Sequence, residues 1–367
     1  MPSCHIHPKT VTKKSLTRIL PLALLMILSL FGMLELSLRL YQAADPGFII
    51  TPDTAYLRFR GRPCSEEFNG FRLNSRGYKD LEFSEQKRPG RYRIVAIGDS
   101  QTYGAVPYGD SYMTLLENIL QSINGETEIL NLGIPQAGPV DYLSVLADEG
   151  FSLNPDMVLL HFNIFDDFKN GGTRRKLYSF SAAASWINGH IARIIKPDGV
   201  IFGAGPYREG YPLRSDEAYL QLLIDAHGTV FKKNNAPFND DFRSSFDYIS
   251  RICRACKKRN IALAVIIIPA DLQLYPYLQK KALAALNAAE DDYDFKIPNR
   301  MLGAELVKRG IPYLDLMDYF LTDTQKAGKT VTQGNDPHWN RSGSRTAAEA
   351  VSSWLAGQVR LPVLPSR

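Results

Sequence analysis

Two short stretches, Gly98-Asp99-Ser100 and Asp336-Pro337-His338, hold the residue types that acyl transfer needs. A serine hydroxyl attacks a carbonyl only when a neighbouring base takes its proton, and an imidazole serves as that base when an acid orients it. Ser100 follows Arg93-Ile94-Val95-Ala96-Ile97, so it is expected at the end of a buried parallel strand, where open α/β sheets hold their ligands. Gly98 lets the chain turn there without a Cβ in the way, and a loop is expected from Gln101. Taken alone, Gly-Asp-Ser is equally an ordinary turn.

The histidines beyond the first apolar run are His161, His190, His227 and His338. His161 falls inside an expected strand and reads as a structural residue. His190 and His227 lie in irregular sequence without a nearby acid and read as surface residues. His338 remains, with Asp336 two residues before it and a helix expected after it.

Together the two stretches resemble the SGNH hydrolase family, the GDSL-type esterases, in its membrane-anchored bacterial form. The resemblance runs over roughly Arg91 to Ala356 and is interrupted once. It implies that Ser100 is the nucleophile, His338 the base and Asp336 the orienting acid, although the family more often places the acid three residues before the histidine. It also implies an oxyanion hole built from the Ser100 amide, a glycine of a second block and an asparagine of a third. The second block looks like Asn131-Leu132-Gly133-Ile134-Pro135-Gln136-Ala137-Gly138, with Gln136 at the usual glycine position; Gly133 is taken as the donor. In the third block a gapless count puts Phe165 where the asparagine belongs, followed by Asp166. Asn163, two residues earlier and on the same side of a strand, is the candidate.

These residues need a scaffold. Strands are expected at the Ser100 stretch and at Glu128–Leu132, Met157–Phe162, Ile261–Ile268 and Ile311–Leu316, all largely apolar. Helices are expected after Asp110-Ser111 and at Val140–Ala147, Phe242–Arg259, Leu272–Ala289 and Ser342–Leu355. Alternation of this kind predicts an α/β fold, a doubly wound, flavodoxin-like parallel sheet of about five strands covered on both faces. Between about 169 and 241 the pattern breaks into Gly, Pro and aromatic residues with one helix around Glu217–Ala226, an insertion expected to act as a lid or binding loop.

The chain opens with a basic tail, 1–18, and continues with an apolar run, 19–40, that matches the roughly 20 residues needed to cross a bilayer. Glu35 and Arg39 would sit at the interface. Basic residues on the amino-terminal side predict an uncleaved anchor in the cell (inner) membrane, with everything after Tyr41 on the periplasmic, extracytoplasmic side. Residues 41–90 read as a lead-in that spaces the body, 91–360, from the membrane and packs partly against it; Asn69–Tyr78 is either a small hairpin or part of the site entrance.

Lys9, Lys13, Lys14, Arg18 and Arg39 against Glu35 account for all but one of the net charge of +5, so the body is nearly neutral and no nucleic-acid partner is expected. Cys253 and Cys256 are spaced as Cys-x-x-Cys, but within an expected helix and with no second pair for zinc, so core packing or a disulfide is the reading. No metal or organic cofactor is implied. The expectation is an extracytoplasmic serine esterase acting on acyl (acetyl) esters of a surface glycan or lipid, with partners in polysaccharide export or modification. An O-acyltransferase using the same three residues, and a non-catalytic glycan-binding or assembly module on the same fold, are the alternatives.

Overall fold

The computed structural model describes residues 13–44, 60–66, 69–168, 181–194 and 207–358. The basic tail before residue 13, Cys4 and the side chain of His190 lie outside the described residues. Helix α1 (Lys13–Ala44) contains the apolar run, and its segment Leu20–Ala44, 25 residues of mean hydropathy 2.0, is long and apolar enough to cross a membrane.

Residues 60–66 and 69–91 pack against the body. Glu66 and Arg72 form an antiparallel bridge on either side of Asn69. Behind it Leu73, Tyr78, Lys79 and Asp80 are buried. The Lys79 ammonium donates to the carbonyls of Gly104 (2.8 Å) and Val106 (2.6 Å), and Asp80 accepts from the Asn131 amide (2.8 Å). Burial drives the Asp80 carboxyl up to about 7.

Strand β1 (Tyr92–Ile97) leads into a short helix, α2 (Ser100–Tyr103), where a loop was expected. Helix α3 (Tyr112–Asn124) follows Ser111, whose hydroxyl pairs with Thr114 Oγ1 (2.9 Å) rather than with a backbone N–H. Next come β2 (Thr127–Asn131), α4 (Pro139–Asp148), opened by a proline whose missing N–H costs nothing there, and β3 (Met157–Asn163), buried at every position.

The insertion contributes α5 (Ala182–Ile194) and α6 (Asp216–His227). Helix α7 (Ala236–Lys258) begins inside the stretch expected to be irregular, because the Asn235 side chain caps it and a proline opens it. Strand β4 (Ala262–Ile268) follows. The helix expected over Leu272–Ala289 is two, α8 (Asp271–Leu274) and α9 (Pro276–Ala285), since Pro276 forces Tyr275 into extended backbone. Then come α10 (Ile297–Lys308), β5 (Tyr313–Asp315) and α11 (Met317–Leu321), followed by a hairpin of β6 (Thr332–Gln333) and β7 (Asp336–Trp339), and finally α12 (Arg341–Gln358).

The five strands β1 to β5 are parallel and run in the order β2-β1-β3-β4-β5. The chain moves outward one way from β1 to β2, then returns to place β3 on the other side of β1. At this switch point the carboxyl ends of β1 and β3 diverge and leave a crevice. Ser100 follows the first of these strands and Asn163 ends the second.

Cys253 and Cys256 face the core from α7 as free thiols, so the disulfide reading gives way to packing, and burial pushes the Cys256 thiol up to about 12. The insertion also reaches α1: Glu35 accepts from Ser181 Oγ and from the Ala183 amide, both at 2.8 Å, at the start of α5.

Lys79→Met keeps the stem of the buried lysine but leaves two inward-facing carbonyls without their donor. It is expected to destabilise the protein by about 2–4 kcal/mol in urea unfolding.

Candidate active site

Gly98 ends the strand because nothing else fits: a Cβ there would lie 2.0 Å from Thr102 Oγ1 and 3.0 Å from His161 Cβ. Asp99 is buried and caps α2, accepting from the Gln101 amide at 2.9 Å. Ser100 therefore occupies the first helical position, where its own N–H has no acceptor within the helix.

The second half of the site stands on the β6–β7 hairpin. Trp339 anchors it, packed edge-on against Tyr112 and tilted on Phe320. Asn340 spans its base, donating to the Thr330 and Thr332 carbonyls at 2.9 and 3.1 Å while its Oδ1 accepts the Gly343 amide. The Gln101 side chain then fastens hairpin to helix, donating to the Pro337 carbonyl (2.7 Å) and accepting from the Trp339 amide (3.2 Å).

Under that clamp Ser100, His338 and Asp336 come together. His338 Nε2 is 2.9 Å from Ser100 Oγ, and Nδ1 is hydrogen-bonded to Asp336 Oδ1. The same carboxylate oxygen accepts the His338 backbone amide at 3.1 Å. A proton on Nδ1 for Asp336 leaves the lone pair of Nε2 facing the serine hydroxyl, the tautomer a general base requires. Burial by itself would raise the Asp336 carboxyl, but the hydrogen bond and charge of His338, with the Arg214 guanidinium, bring it down to about 2. For His338 burial favours the neutral ring, yet Asp336 and Asp99 outweigh it and raise the imidazole above 6.5, with Arg214 pulling the other way.

The expected oxyanion donors are arranged differently. Gly133 N–H donates to Asn131 Oδ1 (2.9 Å), and a Cβ at Gly133 would meet the Tyr103 nitrogen at 2.5 Å. This glycine lets the second block lie against α2; its N–H is directed into its own turn. Gly138 N–H likewise donates to Asp141 (3.0 Å). Between them Gln136, exposed, adopts a left-handed φ of 62°, so the chain keeps there a backbone that glycine takes most easily. Asn163 is buried and donates through Nδ2 to Asp99 Oδ2 (2.7 Å), which fixes the plane of its amide beside the nucleophile turn.

His161 is wholly buried, bonded to the Ile97 carbonyl and the Tyr112 hydroxyl, both at 3.1 Å, and burial pushes it down to about 4. His227, expected at the surface, is buried: the aromatic rings of Phe165 and Phe231 enclose it. Gln101 and Arg214 were not singled out in the sequence. Gln101 adjoins the serine, but only the fold reveals its partner.

Residues 230–365 match the family model described as SGNH hydrolase-like domain, acetyltransferase AlgX. The match covers less than half of the chain. The matched residues include Asp336 and His338, and Ser100 lies ahead of them. Among solved structures the chain is similar to an acetyl xylan esterase, AlAXEase, at 17% identity over 72% of this chain and 98% of the other, with a TM-score of 0.42. It is also similar to a lipase/acylhydrolase from Enterococcus faecalis, at 14% identity over 73% and 96%, TM-score 0.37. A third is a two-domain esterase active on acetylated mannans, at 10% identity over 75% and 51%, TM-score 0.40. No curated protein matches the chain.

Because the folded His338 imidazole lies above its ordinary value, its protonation stabilises the fold below pH 6.5, and that contribution is lost as pH rises through the folded value. An NMR titration is expected to find the ring titrating above 6.5 in the native chain. In Asp336→Asn it is expected to fall, since burial is then no longer offset by the carboxylate.

Proposed function

We propose that this chain is a membrane-anchored, extracytoplasmic serine-type acyl enzyme that cleaves acyl esters, acetyl above all, of a surface glycan or lipid. The observation that carries the reading is the unbroken hydrogen-bonded line from Ser100 Oγ through His338 to Asp336. The basic tail and the long apolar part of α1 support the anchored, extracytoplasmic placement.

In this mechanism Ser100 Oγ attacks the ester carbonyl carbon while His338 Nε2 takes its proton. The resulting imidazolium is held by Asp336, which is already ionised. The carbonyl oxygen becomes an oxyanion and accepts from the Ser100 amide at the start of α2, with the second Nδ2 hydrogen of Asn163 as a further donor. Collapse breaks the ester C–O bond, and His338 returns its proton to the leaving alcohol. An acyl-Ser100 remains.

Water, deprotonated by His338, then attacks the acyl carbon and frees Ser100 and a carboxylic acid. A sugar hydroxyl in place of water makes the same chemistry an O-acyl transfer. The acetyltransferase description of the matched family model favours this second reading, and in either case machinery for exporting or modifying a polysaccharide is the fitting partner.

A fluorophosphonate probe is expected to label the native protein and not Ser100→Ala. Release of p-nitrophenol from p-nitrophenyl acetate is expected to fall by roughly 10⁴-fold or more in Ser100→Ala and in His338→Ala. Equal rates in native protein and Ser100→Ala would end the proposal. Mass spectrometry of acetate and of an unlabelled oligosaccharide acceptor separates hydrolysis from transfer.

A further inference from the structure

The segment that leads into α6 belongs to the insertion, and it is tied to the hairpin that carries Asp336. Leu213 N–H donates to the Gly334 carbonyl at 2.9 Å, at the turn of the β6–β7 hairpin. Gly334 lies so near Pro212 that a Cβ would fall 3.0 Å from its nitrogen and from its Cα. Asn335 Nδ2, next in the turn, donates to the Arg214 carbonyl (2.9 Å) and to Asp216 Oδ1 (2.8 Å). From α6 the Tyr219 hydroxyl donates to Asp271 Oδ2, and that oxygen also accepts from Thr332 Oγ1 of β6 at 3.2 Å. Three independent ties thus fix the hairpin from the insertion side.

At the centre of these ties the Arg214 guanidinium donates to Asp336 Oδ2. The two oxygens of Asp336 are therefore divided. Oδ1 takes both donors of His338, the ring Nδ1 and the backbone amide, and Oδ2 takes Arg214. The Asp336 side chain is only 4% exposed while that of Arg214 is 40% exposed, so the charge is brought to a buried carboxylate from the rim. A carboxylate rotates easily about its last bond. A donor on one oxygen removes that freedom and keeps the other aimed at the imidazole.

We infer that Arg214 is a positioning residue for the acid–base hairpin, holding Asp336 Oδ2 so that Oδ1 stays on His338. This rests on the serine-type reading above. Arg214 has a second effect through its charge. His338 faces the carboxylates of Asp336, Asp99 and Asp271, all of which favour its protonated form, and Arg214 is the cation that opposes them. Without it the ring keeps its proton to higher pH and is less available as a base. An exposed ion pair would be worth little; here one partner is buried and orients the base.

The test uses the full chain, with kcat/KM on p-nitrophenyl acetate followed across the neutral pH range and folding checked by thermal unfolding. Arg214→Gln is expected to lower kcat/KM about ten- to a hundredfold, part of the 10²–10⁴ that a positioned base contributes. Its acid limb is expected to move to higher pH, whereas Arg214→Lys, which keeps the charge, leaves the limb in place. Tyr219→Phe, a tie of the same insertion that does not touch Asp336, is expected to lower the unfolding temperature and leave the limb unmoved.

A folded Arg214→Gln with native kcat/KM and an unmoved limb overturns the inference, and if Ser100→Ala is inactive in the same assay the serine-type reading survives it. Native activity in Ser100→Ala removes both. Should Arg214→Gln unfold the hairpin, Arg214→Met, which keeps the packing of the stem, takes its place under the same two outcomes.

Discussion

The candidate site depends on one contact between residues 238 apart in sequence, the hydrogen bond from Ser100 to His338. Neither segment can hold that position alone. The serine stands on a single turn of helix, fixed at its start by Asp99 and at its back by the close approach of Gly133. The histidine stands on a hairpin of two and four residues, too short to be stable in isolation. What aligns them is the Gln101 amide, whose donor and acceptor meet the chain on either side of His338. Because a primary amide is planar and both its ends are engaged, it sets distance and tilt together, which a single bond could not do.

The carboxyl end of the sheet is crowded with acids, and their surroundings assign them different states. Burial and the charge of Asp99 raise Asp166 and Asp167 well above the carboxylate range, and burial lifts Asp271 to about 7. Asp336 is buried as well, yet it is held down near 2 because the His338 ring and the Arg214 guanidinium both sit on it. Separating titratable groups in this way decides which carboxyl is an anion at neutral pH. The candidate orienting acid is the one supplied with a cation. Asp167 and Asp271 are served by neutral donors, the first by Tyr142 at 2.7 Å and the second by Tyr219.

The insertion links two ends of the protein. Its carboxyl half grips the acid-bearing hairpin through Arg214 and Tyr219, and helix α5 is capped by Glu35 of α1, with Leu34, Leu38, Ala182, Ala183 and Trp186 packed beside that cap. A carboxylate in a long apolar helix is costly to desolvate unless donors meet it. Here Ser181 and the Ala183 amide do so, together with Arg39 at 2.6 Å. The charges expected to rest at an interface thus also seat the insertion against the apolar helix.

What could be read in the sequence is whatever repeats or is punctuated locally. Continuous apolar runs announced the parallel strands, and the two motifs announced Ser100, Asp336 and His338, because strand, turn and cap signals lie within a few residues of one another. The helical turn at Ser100 was missed because its cap, Asp99, read as part of a turn. His227 was misplaced because the rings that bury it, Phe165 and Phe231, are contributed in part by another region of the chain. Arg214 and Gln101 carry no local signal at all. An arginine in a Gly- and Pro-rich segment looks like a solvated side chain until the fold brings a buried carboxylate to it, and a glutamine after the serine looks like a surface residue until the hairpin arrives. Residues that position others gain their meaning from long-range contacts, so the candidate residues of this site were legible in the sequence and their alignment was not.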